Sequence, residues 1–234
     1  MELSGAHQTI GLYKEGINQA KEASEIFERL GHTVSQAHCL IKLAWALYWG
    51  GQFDAAEEAA FHAIELLPEK GQQFQVCDSN RVLSRIYRSK GDTEKAIHHF
   101  EVALEIASTL DWPDALFWLN HDLAVLLHHE GRFDDAHAHI ERAKSHTANS
   151  PYNLGCAMEL QARVWHGQHR VEEAKSEVLH AADIFDKLGA EGAVERCRGF
   201  LQKIETSLAA PGQSDSNCEL LRILLFPARI DSSL

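Results

Sequence analysis

The chain repeats itself in three stretches that align without a gap: LAWALYWGGQFDAAEEAAFHAIEL (residues 43–66), LSRIYRSKGDTEKAIHHFEVALEI (83–106) and LAVLLHHEGRFDDAHAHIERAKSH (123–146). Their turn glycines, Gly51, Gly91 and Gly131, are 40 residues apart. An alanine follows each glycine at the fifth position and another at the twelfth, while a leucine precedes it by eight. A fixed period of this length indicates a repeat protein built from one supersecondary unit.

Each unit reads as two amphipathic helices joined by a tight turn. Apolar and small residues recur at helical spacing on both sides of the glycine. The glycine can adopt a positive φ or end a helix without a Cβ penalty, and the alanines let the two helices approach closely. The pattern predicts helices near residues 12–30, 34–49, 53–67, 72–89, 93–109, 113–129, 133–147, 151–167, 171–188 and 190–206.

The repeat continues in both directions with lower fidelity. Towards the C-terminus it recurs at a spacing of 38, with His169 where a glycine is expected, so that turn is predicted to be looser or differently shaped. Towards the N-terminus, residues 11–31 match only the second helix of a unit. The predicted organisation is a short lead (1–10), a repeat array (11–189: half repeat 11–31, repeats 34–70, 72–110, 113–148 and 151–189), a capping helix (190–206) and a flexible tail with a short apolar segment (207–234).

A half repeat at the N-terminus predicts an apolar helix face without its partner helix. Solenoids need polar caps to stay soluble. We therefore expect the missing half to come from a second copy of the chain, from another domain, or from a longer chain of which this sequence is a piece.

Composition excludes several classes of function. The chain has 22 Lys and Arg against 34 Asp and Glu, a net charge of −12, which disfavours nucleic-acid binding. Its apolar runs are far shorter than the ~20 residues that cross a bilayer, and no secretory signal opens it, so no membrane association is expected. The five cysteines form no CxxC pair, which favours a reduced, cytoplasmic protein.

No arrangement of residues indicates catalysis, a metal or a cofactor. The 15 histidines cluster as adjacent pairs or as His-x-His, and such neighbours diverge on a helix instead of converging on one ion. We interpret them as surface and groove residues that titrate near pH 6–7. Phosphate-binding loops and the nucleophile elbow are absent from the sequence, and Cys156 has no basic partner that would activate it.

The paired small residues, turn glycines, alanines and aromatics together resemble the tetratricopeptide repeat (TPR) family over residues 11–188. The 40-residue period is similar to the longer-helix variety in Leu-Gly-Asn-type scaffolds and kinesin light chains, and to TPR regions of fungal STAND-type proteins. The resemblance implies an all-α fold, a right-handed superhelical solenoid of antiparallel helix pairs, with a concave groove for a peptide or a partner helix.

In TPR proteins the first helix of each unit lines that groove, which implies a set of partner-binding residues by position. They are Trp45, Tyr48, Arg81, Arg85, Arg88, Trp118, His121, His128 and Arg163. Aromatic and arginine side chains are also the types enriched at binding hot spots.

Three arginines of the third unit carry the most specific signal. Arg81, Arg85 and Arg88 follow i, i+4, i+7 spacing and share one helix face, where their guanidiniums could fork around carboxylates. One interpretation is an anchor for an acidic peptide, which resembles part of the carboxylate clamp of chaperone-binding TPR domains. That clamp's asparagines are replaced here by Ile41 and Trp45. The alternative is a solvated face that Asp78 or Glu94 partly neutralises.

The leading hypothesis is therefore a protein-interaction scaffold or adaptor without catalysis. The alternative is a sensor or regulatory TPR fragment of a larger signalling protein of the STAND type. An enzyme is a third possibility, but no set of residues supplies a nucleophile, a base and an orienting group.

Overall fold

A computed structural model describes residues 2–68, 71–147 and 150–209, and the side chains of 13–68, 71–147 and 150–206. Within these ranges the chain forms ten α-helices and no strand. They are α1 (Glu2–Arg29), α2 (Thr33–Trp49), α3 (Phe53–Leu66), α4 (Gln73–Lys90), α5 (Thr93–Thr109), α6 (Pro113–His129), α7 (Phe133–Lys144), α8 (Pro151–Gly167), α9 (Val171–Lys187) and α10 (Glu191–Ala209).

The helix positions predicted from the repeat are confirmed for α2 to α9, with ends that differ by a few residues at most. The first helix differs, because α1 begins at Glu2 and so includes residues that were predicted to form a short lead. Extending an existing helix adds one hydrogen bond per residue, whereas the repeat pattern carries no signal there. The predicted apolar segment of the tail lies outside the described residues.

The helices fall into two compact units, one holding α1–α5 and the other α6–α10. In each unit, helices that follow one another along the chain pack together. The first helices of neighbouring repeats also touch, α2 against α4 in one unit and α6 against α8 in the other. These two helix pairs carry all nine predicted groove residues.

Small residues let the paired helices approach closely. The alanines five and twelve residues after each turn glycine are completely buried. They are Ala56, Ala63, Ala96, Ala103, Ala136 and Ala143. Phe100 and Ile140, which follow their glycines by nine residues, are also fully buried, whereas the first repeat has a buried alanine, Ala60, at that position. The role of the small positions is therefore confirmed.

The turns share one backbone conformation. Gly51, Gly91 and Gly131 have φ between 72° and 79°, and the residue after each donates its N–H to a carbonyl five residues earlier at 2.9–3.0 Å. His169 adopts the same left-handed conformation, with φ of 60°, and Arg170 makes the equivalent hydrogen bond at 2.8 Å. The expectation of a differently shaped turn at His169 is wrong, because the surrounding hydrogen bonds impose the geometry on a residue that does not favour it.

Replacing this residue, His169→Gly, should raise the free energy of unfolding by about 1 kcal/mol, since a side chain in the left-handed region costs ~1–2 kcal/mol and glycine does not pay it. Thermal or urea unfolding measures the gain. His180→Gly, on the exposed side of α9, is the control and should not stabilise. Equal unfolding midpoints for wild type and His169→Gly would contradict the strain argument.

The described part of α1 presents a largely polar outer surface. Its exposed side chains from residue 14 to 29 are charged or amide groups except for Ile26, which is 43% exposed. Ile17 and Ser24 are buried on the opposite side. The apolar, uncapped face expected from the half repeat is not found among residues 13–29, and self-association through it stays a prediction.

Two histidines belong to polar pairs inside the helix packing. Asn80 Nδ2 donates to the Val76 carbonyl at 2.9 Å, which leaves its Oδ1 to accept from His99 Nδ1 at 2.8 Å. Asn120 and His139 repeat this arrangement 40 residues later, at 2.8 Å. The interpretation of these two histidines as surface or groove residues is therefore wrong, because neither the helical period nor composition distinguishes an imidazole paired between helices from an exposed one.

Candidate partner-binding face

The predicted residues of the first unit meet on neighbouring helices. Trp45 and Trp49 of α2 lie beside Arg81 and Arg85 of α4, and Arg88 follows Arg85 by about one helical turn. We call these five residues the α2–α4 face. All of them are at least partly exposed to solvent. The i, i+4, i+7 spacing puts the three arginines on one side of the α4 helix.

Asp78 connects the two helices of this face. One oxygen of its carboxylate accepts a hydrogen bond from Trp45 Nε1 at 3.3 Å and lies 3.1 Å from the Arg81 guanidinium. The Arg81 guanidinium carbon is 4.9 Å from the centre of the Trp45 ring. Partial neutralisation by Asp78, the alternative drawn from the sequence, thus applies to Arg81, whose guanidinium both pairs and stacks.

Arg85 lies over two indoles. Its guanidinium carbon is 5.4 Å from the Trp45 ring and 5.8 Å from the Trp49 ring, within the range of cation–π attraction. The two indoles are stacked with their centres 6.5 Å apart. Trp49 was not among the predicted site residues, since its position on the helix falls one residue outside the groove register.

Tyr48 is placed differently from its predicted role. It exposes only 7% of its surface and packs edge-on against both indoles, 6.0 Å from Trp45 and 5.0 Å from Trp49. The ring of Phe53 lies 5.9 Å away on the following helix. Tyr48 therefore supports the indoles from beneath and offers a partner little surface of its own.

In the second unit, α6 carries an aromatic and imidazole surface. Trp118 is half-buried and meets His121 edge-on at 5.6 Å. His128 lies two turns further along, 5.7 Å from the ring of Phe133. Burial, followed by the neighbouring His129 and then Arg163, lowers the pKa of His128 to about 4. His128 is therefore neutral near pH 7, and this aromatic and imidazole surface differs chemically from the α2–α4 face.

Arg163 on α8 is held by contacts within its own unit. It donates to Glu159 at 2.8 Å, and its guanidinium carbon lies 4.8 Å from the Phe200 ring of α10. The second oxygen of Glu159, which is 7% exposed, accepts from Arg196 of α10 at 3.1 Å. The capping helix therefore covers this part of the predicted groove. The sequence predicted the helix but carried no signal for its docking face.

The histidine side chains titrate over a wider pH range than the sequence predicted. Burial lowers the pKa values of His99 and His166, and lowers the pKa of His139 to about 4. His139, like His128, therefore stays neutral in the folded protein at pH 6–7, so the expected titration of all 15 histidines in that range is wrong. Burial raises the pKa of the Cys156 thiol to about 11, which agrees with the inert thiol expected there.

In the part of the chain described above, no three His, Cys, Asp or Glu side chains come together as ligands for a metal ion. None of its helices combines the length and the apolar composition needed to cross a bilayer.

Comparisons with known proteins identify the type of repeat. The family model of the tetratricopeptide repeat matches residues 82–109, which include the second half of α4 and all of α5. No curated protein matches the sequence. The match to the family confirms the repeat type for one unit directly.

Solved structures extend the likeness over most of the chain. BtubC (BKLC) of P. vanneervenii is 16% identical, with a TM-score of 0.63 over 87% of this chain and 96% of its own. The nearly identical TPR-like repeats of a candidate kinesin light chain from Podospora anserina are 18% identical, with a TM-score of 0.63 over 81% and 94%. A Rap protein complexed with the competence and sporulation factor is 16% identical, with a TM-score of 0.61 over 86% and 61%. The predicted all-α, TPR-like fold is confirmed.

Proposed function

Because residues 82–109 match the tetratricopeptide repeat and the fold is TPR-like, we propose that this chain is a protein-interaction scaffold that binds an acidic peptide or partner helix on the α2–α4 face and catalyses no reaction. The observation that carries the proposal is the row of arginines on α4 beside partly exposed indoles, in a chain whose net charge is −12. A positive surface on an acidic protein attracts and orients acidic partners.

The chemistry of the face suits acidic peptides. Guanidinium groups form two parallel hydrogen bonds with a carboxylate, and an indole adds apolar contact area beside them. The Rap protein, a fold neighbour, was crystallised with the competence and sporulation factor, which gives a precedent for ligand binding on this fold. Trp118, His121 and His128 form the corresponding surface of the second unit and would take apolar or polar rather than acidic groups.

The sequence alone supports three further parts of the proposal. The protein needs no cofactor, it is cytoplasmic, and it binds neither nucleic acid nor a membrane. The sensor or regulatory fragment of a larger signalling protein stays an alternative, and no contact of the described residues favours it over the scaffold.

The variant Arg85→Glu should weaken capture of acidic peptides by at least about tenfold, because it replaces attraction with repulsion at the centre of the face. Peptides selected from a random display library on the wild-type chain provide the ligands, and fluorescence anisotropy measures their affinity. Affinity should also fall as salt rises from low to physiological concentration, since exposed charges are screened.

Arg198→Glu is the matched control, because it makes the same charge change on α10 at a side chain that is 65% exposed. It should leave the affinity nearly unchanged. A library selection without enrichment of Asp and Glu, or selected peptides that bind wild type and Arg85→Glu equally, would refute the assignment of the α2–α4 face.

A further inference from the structure

Trp49 adds a second ring to the stack that holds Arg85. Its indole is 43% exposed and stands almost parallel to that of Trp45, at an interplanar angle of 23°. The Arg85 guanidinium lies within 6 Å of both ring centres. A long, flexible side chain is thereby held at the surface by two rings that themselves sit on one helix.

Asp78 fixes the other half of the same stack. One oxygen of the Asp78 carboxylate accepts a hydrogen bond from the Trp45 indole N–H and forms an ion pair with the Arg81 guanidinium. The same guanidinium lies over the Trp45 ring. The plane of the indole is therefore set by a hydrogen bond across the two helices. Both arginines then lie over a ring whose orientation is determined.

This arrangement would affect ligand binding through the restricted conformation of the arginine side chains as well as through their charge. A side chain that must be immobilised on binding loses rotamer freedom, and stacking beforehand reduces that loss. A guanidinium that lies over a ring keeps its N–H groups in its own plane, where a planar acceptor can meet two of them at once. A lysine ammonium has the same charge but neither property.

We infer that Asp78 and Trp49 are positioning residues, which hold Arg81 and Arg85 in the orientation that binds planar carboxylates of a peptide. The inference rests on the function proposed above and deepens it. The face then discriminates by the geometry of its arginines, and an acidic residue within it strengthens the binding of an acidic ligand.

The variant Asp78→Ala distinguishes a positioning role from simple electrostatics, because the two predict changes of opposite sign in the affinity for an anionic peptide. Removing the negative charge beside Arg81 should tighten the binding of an anionic peptide if charge alone decides. If Asp78 positions the stack, its removal should weaken binding about three- to tenfold. The probe is acetyl-hexaglutamate-amide, titrated at fixed salt and followed by calorimetry.

Two further variants test the stack itself. Arg85→Lys and Trp49→Leu should each weaken hexaglutamate binding about three- to tenfold, and Trp49→Phe, which keeps a ring, should restore most of the loss. Tighter binding by Asp78→Ala, or unchanged affinity in Arg85→Lys and Trp49→Leu, would overturn the inference.

A measurement without ligand distinguishes a failure of the positioning role from a failure of the proposed function. In a ¹⁵N-labelled protein the Arg85 Nε–Hε resonance should be shifted upfield by the two indoles and should move towards that of exposed Arg198 in Trp49→Leu. An unshifted Arg85 resonance overturns the stack and with it the positioning role. A shifted resonance in a wild-type protein that does not bind hexaglutamate overturns the proposed function instead.

Discussion

Lowering the pH from 6.5 to 4 is expected to reduce the free energy of unfolding by about 5 kcal/mol, because His128 and His139 stay neutral in the folded chain. Their pKa values are held at about 4, in both cases mainly by burial. A histidine in an unfolded chain titrates near pH 6.5. Between pH 6.5 and 4 the unfolded state therefore binds more protons than the folded state, and stability falls as the pH falls.

The size of the effect follows from the two shifts. One pKa unit corresponds to about 1.4 kcal/mol, so His128 contributes about 3 kcal/mol when the window has been crossed. His139 is closer to solvent, and screening reduces its share to about 2 kcal/mol. Neighbouring guanidiniums act in the same direction as burial: Arg163 beside His128, and Arg142 beside His139.

Urea unfolding at pH 6.5, 5.25 and 4 measures this loss. The double variant His128→Gln, His139→Gln should lose much less stability over the same range, because glutamine does not titrate and can still donate a hydrogen bond to Asn120. His62→Gln, an exposed change on α3, should behave as the wild type does. A double variant whose stability falls as steeply as that of the wild type would show that other groups cause the acid sensitivity.

Gly155→Ala is expected to lower the free energy of unfolding by about 1–2 kcal/mol, although alanine is the better helix former. A Cβ atom on Gly155 would lie 2.8 Å from Cε1 and 2.9 Å from Cζ of Phe185. Phe185 is completely buried, and its ring meets Tyr152 edge-on at 5.4 Å. Overpacking a filled core costs ~1–3 kcal/mol, which exceeds the gain in helix propensity of ~1 kcal/mol.

Gly199→Ala makes the same substitution inside α10, where nothing lies within 4 Å of the added Cβ. It should raise the free energy of unfolding by up to about 1 kcal/mol through helix propensity alone. Thermal and urea unfolding of the two variants should therefore shift in opposite directions. Shifts of the same sign would show that the close approach of α8 to Phe185 does not limit the size of residue 155.

The repeat pattern alone predicted most of the fold. Turn glycines, buried alanines and a leucine at fixed offsets specify helix pairs, because a helix must bury its apolar stripe against a neighbour of matching period. At His169 the repeat pattern predicted the wrong turn shape. It departs from the pattern in residue type, yet its backbone follows the pattern, because the hydrogen bond from Arg170 to the Trp165 carbonyl holds the turn.

The candidate site was predicted less completely. The spacing of Arg81, Arg85 and Arg88 places them on one helix face, and that is a local property of the chain. The stacking of Trp49 on Arg85 and the covering of Arg163 by α10 are contacts between separate helices. Contacts of this kind depend on how the side chains of two helices meet, which no offset within one helix specifies.

Amino-acid order thus sets the helices, their turns and the residues that share a face, because these follow from local backbone geometry and from the period of the apolar positions. The packing of the helices in three dimensions determines which of the predicted groove residues remain accessible at the surface. It leaves Arg85 at the surface beside two indoles, while it turns Arg163 towards Glu159 and Phe200. The two arginines occupy equivalent places in their repeats, and they differ because the neighbouring helix, α2 in one case and α10 in the other, presents different side chains to them.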